Sequence, residues 1–308
     1  MPPIRIVIVG LGKIARDQHL PAIAASGAFH LAATVDPRAP GLCGVPHFSD
    51  LPALFAAGLE LDAIALCTPP QMRYDLALAA LAHKLHLLLE KPACTTLAAA
   101  EILRSRAEAQ GTTLFAAWHS RFAPGVEPAR DWLAPCRIAS GVATWHEDVR
   151  IWHPRQDWIW QPGGFGVFDA GINAISILTR ILPSPIRLKR ATLLTPVNAA
   201  TPIAAKLEFR DETGAAIVLD LDWTKAGEPC WDIDIETNRG RLKLEAGGAV
   251  LSLPTSGPYS ERTEYPNLYG HFAQLIAAGA SDFDLVPLLH VSDAFLIGDR
   301  QAVAEFND

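Results

Sequence analysis

Two glycines and an alanine, at positions 10, 12 and 15, follow the apolar run 4–9 with a spacing that could bind the phosphates of a dinucleotide. Gly10 would let a strand turn tightly, Gly12 would leave room for a pyrophosphate, and Ala15 would let the next helix pack closely on the strand. The backbone N–H groups and positive end of that helix would then hold the anion. The segment Gly10-Leu11-Gly12-Lys13-Ile14-Ala15 therefore predicts a nucleotide site, with a plain glycine-bounded turn as the alternative.

An acidic and a basic residue follow the second predicted strand, 31–35. Asp36 stands at about the distance expected for the carboxylate that binds the ribose hydroxyls of NAD, and it would repel the 2′-phosphate of NADP. Arg38 could instead clamp that phosphate from the loop, or simply face solvent. Because repulsion by a carboxylate at a strand end is hard to escape, we expect NAD as the cofactor, with NADP tolerated.

A charged pair, Glu90-Lys91, ends a run of leucines and is followed by Pro92. The proline restricts Lys91 to an extended conformation and would aim its ammonium group from a stiff backbone. The motif thus indicates a lysine placed for chemistry, although most lysines at strand ends are simply solvated.

A second polar pair, Asp169 and Asn173, follows the glycine-rich segment 163–166. The spacing of four residues puts the carboxylate and the amide on one face at the start of a helix. They could pair with Lys91 and orient a substrate hydroxyl, while the ordinary role for an aspartate here is a helix N-cap.

The elements that must position these residues alternate in the first part of the chain between apolar runs and helical patterns. Further strands are predicted at 63–67, 85–89 and 113–117, and helices at 74–83 and 97–110, the latter capped by Thr95 or Thr96. The strands lead into the polar turns Cys67-Thr68-Pro69-Pro70, Glu90-Lys91-Pro92 and Trp118-His119-Ser120-Arg121. Ligands bind at the carboxyl edge of such sheets, so we expect Cys67, Thr68, Pro69, Glu90 and Lys91 to line the cofactor site.

Beyond about residue 121, short strands are separated by tight turns at 211–214, 238–240 and 246–248. Helices are predicted near 169–181, 269–278 and 286–296. The fold prediction is an α/β Rossmann domain with a parallel, doubly wound sheet over residues 1–120, followed over residues 121–308 by an α+β domain with a large, open, mostly antiparallel sheet.

Composition excludes several classes of protein. The net charge of −7 argues against nucleic acid or an anionic membrane as partner. No stretch is apolar enough to span a bilayer, and the first strand leaves no room for a signal peptide, so we expect a cytoplasmic protein. The five cysteines form no C-x-x-C pair and are expected to be buried thiols, without a metal site.

Together these motifs resemble the glucose–fructose oxidoreductase and inositol dehydrogenase family of two-domain nicotinamide enzymes. The resemblance implies a catalytic lysine at Lys91, a catalytic aspartate at Asp169, and a second domain that binds substrate and commonly forms homo-oligomers, with an isologous dimer as the default. The chain departs from the family at two positions. Asn173 stands where a histidine is common, and Arg73 stands where a histidine often follows the Thr-Pro turn.

The segments around residues 118–121 and 145–154 most closely resemble the bacterial L-arabinose and D-galactose 1-dehydrogenases of this family. That resemblance implies oxidation of the anomeric carbon of a pyranose to an aldonolactone. The side-chain types suit a sugar, because carboxylates, amides and imidazoles bind hydroxyls and flat indoles cover C–H groups. The expected substrate residues are His119, Glu147, Trp152, His153 and Trp231, beside Asp169 and Asn173. For Trp231 an ordinary core position is equally open.

Two alternatives remain at this point. One is a dehydrogenase of another sugar or of a cyclic polyol. The other is a catalytically silent protein that senses a sugar or a nucleotide on the same fold. Joint retention of Lys91, Asp169 and Asn173 argues against the silent protein.

Overall fold

The computed structural model describes residues 2–254, 256–260 and 264–307. The chain forms two units, one made of Met1–Trp118 with Tyr265–Leu285 and the other of His119–Glu264 with Val286–Asp308. The predicted division assigned Tyr265–Leu285 to the second domain, whereas in the structure this segment packs with the first unit.

The strands are β1 (Ile4–Val9), β2 (Phe29–Val35), β3 (His47–Phe48), β4 (Ala63–Leu66), β5 (His86–Glu90), β6 (Leu114–Ala117), β7 (Ile138–His146), β8 (Ile186–Pro196), β9 (Ala204–Asp211), β10 (Ala216–Asp222), β11 (Cys230–Thr237), β12 (Gly240–Glu245), β13 (Val250–Leu253), β14 (Ser256–Ser260) and β15 (Asp299–Val303). The α-helices are α1 (Leu20–Ala25), α2 (Leu51–Ala56), α3 (Pro70–Ala82), α4 (Leu97–Gln110), α5 (Val126–Leu133), α6 (Val149–Trp152), α7 (Phe168–Ile181), α8 (Glu264–Ala278) and α9 (Val286–Ile297).

The first unit is built on a parallel sheet with the strand order β3-β2-β1-β4-β5-β6. The order reverses direction beside β1, which is the switch point where nucleotides bind in doubly wound sheets. The predicted parallel Rossmann domain is confirmed. Strand β4 is buried along its whole length, and β1 and β5 are buried over residues 6–9 and 87–90, as expected for strands covered on both faces.

The segment Tyr265–Leu285 covers one side of this unit. Phe272 of α8 stacks on Phe29 and Phe115, with ring centroids 5.8 Å apart in both pairs. Beyond the helix, Asp282 exchanges backbone hydrogen bonds with the edge strand β6, from its N–H to Leu114 and from Ala116 to its carbonyl. The last strand of the parallel sheet is therefore closed by a part of the chain that is distant in sequence.

The second unit is built on a mixed sheet with the order β14-β13-β12-β11-β7-β10-β9-β8-β15. Most neighbours are antiparallel, as predicted, but β7 and β10 are parallel and so are β8 and β15. Because β7 and β10 run in the same direction, their carboxyl ends meet at one edge of the sheet. The antiparallel strand β11 begins at that edge.

No helix in the described ranges has the length and apolar character that a membrane span requires. The same ranges contain no group of three or more His, Cys, Asp or Glu side chains that could hold a metal ion.

Candidate functional site

The turn after β1 has the geometry that the glycine motif predicts. Gly10 has a φ of +90°, and a Cβ atom there would lie 3.0 Å from the backbone nitrogen of Thr68, so glycine is required for both conformation and space. A Cβ atom on Gly12 would meet nothing within 4 Å, so this position is open. Lys13 is exposed and Ile14 is half-buried. The turn thus offers backbone and open space where a pyrophosphate requires them.

Asp36 lies at the end of β2 and is bound to this turn. One carboxylate oxygen accepts the backbone N–H of Leu11 at 2.8 Å, and the other accepts those of Arg38 and Ala39 at 2.8 and 2.7 Å. Partial burial alone would raise the pKa of Asp36, but these N–H groups and the Arg38 charge outweigh it and lower the pKa. The carboxylate is therefore ionised, and the Arg38 side chain is exposed.

The turn after β4 supplies an unsatisfied polar atom. Cys67 and Thr68 are buried and Pro69 is half-buried, and Oγ1 of Thr68 has no hydrogen-bond partner among the described residues. An orphaned hydroxyl beside the open Gly12 turn and the ionised Asp36 fits the binding of a dinucleotide at this edge. The predicted cofactor residues of the three turns thus lie at the carboxyl ends of β1, β2 and β4.

The backbone around Lys91 is fixed on several sides. The Lys91 N–H donates to Oε2 of Glu90 at 2.8 Å, and the Lys91–Pro92 peptide bond is cis. Arg73, on α3, is buried and donates to the backbone carbonyls of Thr68, Glu90 and Pro92. The departure at Arg73 thus has a structural role, because its guanidinium joins the turns after β4 and β5.

Glu90 itself is only 2% exposed and is held by side chains from two other elements. Its Oε1 accepts hydrogen bonds from Nε2 of His19 at 3.0 Å and from the hydroxyl of Tyr265 at 2.7 Å. Nδ1 of His19 lies 2.8 Å from the hydroxyl of Tyr269. Burial disfavours the imidazolium, but the acidic groups of Cys67, Tyr269 and Glu90 outweigh burial and raise the pKa of His19 well above its usual value. Burial raises the pKa of Tyr269 to about 12.

In the second unit, Glu147 directly follows β7 and is 3% exposed. One oxygen accepts from Nε2 of His153 and from the indole N–H of Trp223, both at 3.1 Å, and the other accepts from the indole N–H of Trp231 at 2.8 Å. We name Glu147, His153, Trp223 and Trp231 the Glu147 cluster. The sequence predicts that Glu147 binds sugar hydroxyls, whereas in the structure its carboxylate accepts three hydrogen bonds from protein groups.

Trp152 and Asp169, two further residues predicted for the sugar site, contact members of this cluster. Trp231 is half-buried and packs edge-on against the exposed Trp152, with ring centroids 4.9 Å apart. Nδ1 of His153 lies 3.7 Å from Oδ2 of Asp169. Glu147 thus orients an imidazole toward a second carboxylate, beside indole faces that remain partly accessible.

Asp169 and Asn173 lie one turn apart at the start of α7, as predicted. The helix begins at Phe168 with Val167 at the N-cap position, so Asp169 is a buried first-turn residue and not the cap. Oδ1 of Asn173 is buried without a hydrogen-bond partner among the described residues. A buried, unsatisfied amide oxygen one turn from a carboxylate suits a ligand hydroxyl as donor.

The glycine-rich segment before α7 is needed for this placement. Gly166 has a φ of +52°, and a Cβ atom there would lie 2.2 Å from the backbone oxygen of Pro202.

His119 is the remaining predicted substrate residue. It is part-buried, and its Nδ1 lies 2.7 Å from Oε2 of Glu264.

Sequence reasoning missed five residues of these sites, namely His19, Arg73 as a structural group, Trp223, Tyr265 and Tyr269. Trp223 directly follows the end of β10, as Glu147 follows the end of β7. Because β7 and β10 are parallel, this position would have placed Trp223 beside Glu147 if the strand pairing had been known. The predicted pairing of Lys91 with Asp169 joins residues of different units and stays a prediction.

The chain is similar in sequence to known oxidoreductases. Residues 4–117 match the model of an oxidoreductase family with an NAD-binding Rossmann fold, GFO/IDH/MocA. The chain is 44% identical over 312 residues to a galactose 1-dehydrogenase of Pseudomonas fluorescens, covering 100% of both proteins.

The chain is also similar to solved structures of related enzymes. A D-galactose-1-dehydrogenase from Rhizobium etli is 48% identical with a TM-score of 0.93, covering 100% of this chain and 99% of that one. A 3-ketoreductase from Actinomadura kijaniata, solved with NADP and TDP-benzene, is 19% identical with a TM-score of 0.85 and covers 98% of this chain and 99% of that one. The ketoreductase shares the fold.

Proposed function

The chain belongs to the glucose–fructose oxidoreductase and inositol dehydrogenase (GFO/IDH/MocA) family, and we propose that it is an NAD(P)-dependent aldose 1-dehydrogenase that oxidises C1 of D-galactose and L-arabinose to the aldonolactone. The observation that carries the proposal is the full-length identity of 44% to a galactose 1-dehydrogenase. The Glu147 cluster supports it, because it combines hydroxyl-binding groups with indole faces suited to a sugar. The two sugars share their configuration at C2, C3 and C4.

Oxidation at the anomeric carbon removes a hydride from C1 and a proton from its hydroxyl, and leaves a C=O double bond. A bound nicotinamide supplies the hydride acceptor. Gly10, Gly12, Thr68 and Asp36 would hold the dinucleotide at the edge of the parallel sheet, and the other residues of the cofactor site would be Lys13, Ile14, Arg38, Cys67, Pro69, Glu90 and Lys91.

Lys91 assists loss of the hydroxyl proton, with Asp169 as its partner. In the alternative assignment, Asp169 takes the proton and Lys91 holds the oxygen. Asn173 accepts a sugar hydroxyl through its unsatisfied oxygen, and His153 is oriented toward the sugar by Glu147. Trp152 and Trp231 cover C–H groups, and His119 contributes a further hydrogen bond.

The test is an initial-rate assay of nicotinamide reduction with D-galactose, L-arabinose, D-glucose and myo-inositol, with the Lys91→Met variant as the background. We expect turnover with the first two sugars and a kcat/KM at least about tenfold lower with the others. A substrate whose hydroxyls point in other directions leaves polar groups of the site unpaired, and this lowers kcat/KM by roughly that factor or more. No turnover with any aldose would contradict the proposal. Turnover with inositol alone would identify a cyclic polyol dehydrogenase, and binding of a sugar without turnover would identify a sensor.

For cofactor choice we propose a preference for NAD over NADP, set by Asp36. The Asp36→Ser substitution removes the charge that repels the 2′-phosphate and leaves Arg38 beside it. We expect the ratio of kcat/KM for NADP to that for NAD to rise at least about tenfold, which corresponds to about 1.4 kcal/mol. Two like charges about 4 Å apart repel by about 1 kcal/mol in water and by about 4 kcal/mol near a protein surface. Asp62→Ser is the matched control, because Asp62 binds Arg5 just before β4, at the opposite edge of the sheet. A wild-type preference for NADP, or an unchanged ratio in Asp36→Ser, would refute the role of Asp36.

We further propose that the protein is cytoplasmic and forms an isologous dimer through the open sheet of the second unit. Its partner is a small-molecule sugar, and it binds neither nucleic acid nor membrane. The net charge of −7 supports the exclusion of polyanionic partners.

A further inference from the structure

Four buried side chains of the first unit form a continuous hydrogen-bonded set next to Lys91. We name His19, Glu90, Tyr265 and Tyr269 the Glu90 network. Their side chains are at most 3% exposed. The network joins three elements, namely the helical turn Ala15–His19 after the glycine motif, the end of β5, and α8.

Burial of the Glu90 network costs free energy of folding compared with apolar side chains at the same positions. A buried carboxylate and a buried imidazole lose their hydration, and hydrophobic residues of similar volume generally stabilise a core as well or better. The surroundings are otherwise aromatic, since Phe29 packs against both Tyr269 and Phe272. A buried polar set of this kind is therefore better explained by a positional role than by stability.

The hydrogen bonds show which position is fixed. Oε1 of Glu90 is occupied by His19 and Tyr265, and this leaves Oε2 facing the backbone N–H of Lys91 at 2.8 Å. On the other side of the same turn, Arg73 binds the carbonyls of Glu90 and Pro92. Both the N–H and the flanking carbonyls of the Lys91 turn are thus held by buried charged groups.

We propose that His19 and Tyr265 are positioning residues for Lys91, acting through Glu90. They hold the Glu90 carboxylate in the one orientation in which Oε2 fixes the Lys91 backbone, so that the ammonium group starts from a rigid turn. This inference rests on the proposed function in assigning chemistry to Lys91. It also explains the return of Tyr265–Leu285 to the first unit, since that segment supplies two of the four side chains.

The experiment compares two substitutions at His19 with Tyr265→Phe. His19→Leu removes both ring nitrogens, whereas His19→Gln places an amide nitrogen near the Nε2 position, from which it can still donate to Glu90. We expect kcat for D-galactose to fall about 30-fold in His19→Leu and about fivefold in Tyr265→Phe. His19→Gln should recover to within about fivefold of the wild type. The KM for galactose and the Kd for NAD+ should stay within about threefold, because the network fixes a group needed in the transition state.

Two controls separate positioning from general destabilisation. His271→Leu removes another His–carboxylate pair of the first unit, in which Nε2 of His271 lies 3.0 Å from Oδ2 of Asp282. Phe29→Leu loosens the packing around Tyr269 without removing a hydrogen bond. Both should keep kcat within about threefold of the wild type. An equal loss of kcat in these controls, or equal losses in His19→Leu and His19→Gln, would overturn the positioning role.

A readout independent of sugar oxidation is the rate at which an amine-reactive reagent labels Lys91 in the holoprotein, followed by mass spectrometry of the peptides after digestion. We expect this rate to change at least about threefold in His19→Leu and Tyr265→Phe relative to the other lysines. If the wild type oxidises no aldose, the proposed function fails while the labelling rate still decides this inference. Unchanged labelling in Tyr265→Phe, the isosteric variant expected to fold, would overturn it.

Discussion

We expect replacement of Lys91 by Met to lower kcat for D-galactose by about 1000-fold or more and to leave the Kd for NAD+ within about threefold of the wild type. Methionine keeps the length and the apolar stem of the side chain but removes the ammonium group. A general acid–base group typically contributes about 10²- to 10⁴-fold, and this is the role that we propose for Lys91. Because that contribution exists only in the transition state, it appears in kcat and not in ground-state binding.

The control is a lysine of the same unit that has no proposed role in catalysis. Lys84 serves, because it is exposed in the turn before β5, at the opposite end of the strand from Lys91. Lys84→Met should retain wild-type kcat. Titration of NAD+ by quenching of protein fluorescence gives the Kd for each variant. A Lys91→Met enzyme that keeps more than about a tenth of the wild-type kcat would exclude acid–base catalysis by this side chain as a main contribution.

We expect replacement of Glu147 by Gln to lower kcat/KM for galactose about 100-fold and to leave the Kd for NAD+ unchanged. The carboxylate accepts three N–H groups, and an amide offers only one acceptor oxygen in its place. At least one buried N–H of His153, Trp223 or Trp231 would then face the amide N–H₂ group. A buried donor without a partner costs about 1–3 kcal/mol, which corresponds to roughly 5- to 150-fold when the site must reorganise to relieve it.

Glu127→Gln is the control for this prediction. Glu127 is a carboxylate of the same unit, but it lies on the surface of α5 in ion pairs with Arg130 and Arg180, which contribute little. We expect wild-type kinetics for that variant. If Glu147→Gln retains kcat/KM within about threefold, the cluster does not organise the sugar site. A loss confined to the Kd for NAD+ would contradict the assignment of Glu147 to the sugar.

Local physics made much of this protein predictable from its sequence. The helix Leu97–Gln110 was predicted with its observed bounds, because Thr96 accepts the N–H of Ala99 as an N-cap and Gly111 ends the helix in the left-handed region. The glycine turn, Asp36 and the Asp169–Asn173 pair were predicted from local sequence in the same way. Each depends on residues a few positions apart, or on a repeated βα unit whose strand ends meet at one edge.

Only the tertiary structure decided the partners that hold these groups. The bonds from His19 and Tyr265 to Glu90 span 71 and 175 residues, and those from Trp223 and Trp231 to Glu147 span 76 and 84. The sequence shows that these residues can donate a hydrogen bond but not which acceptor they meet. That choice depends on the order of strands in the mixed sheet and on the return of α8 to the first unit, and both are set by burial of apolar surface over the whole chain.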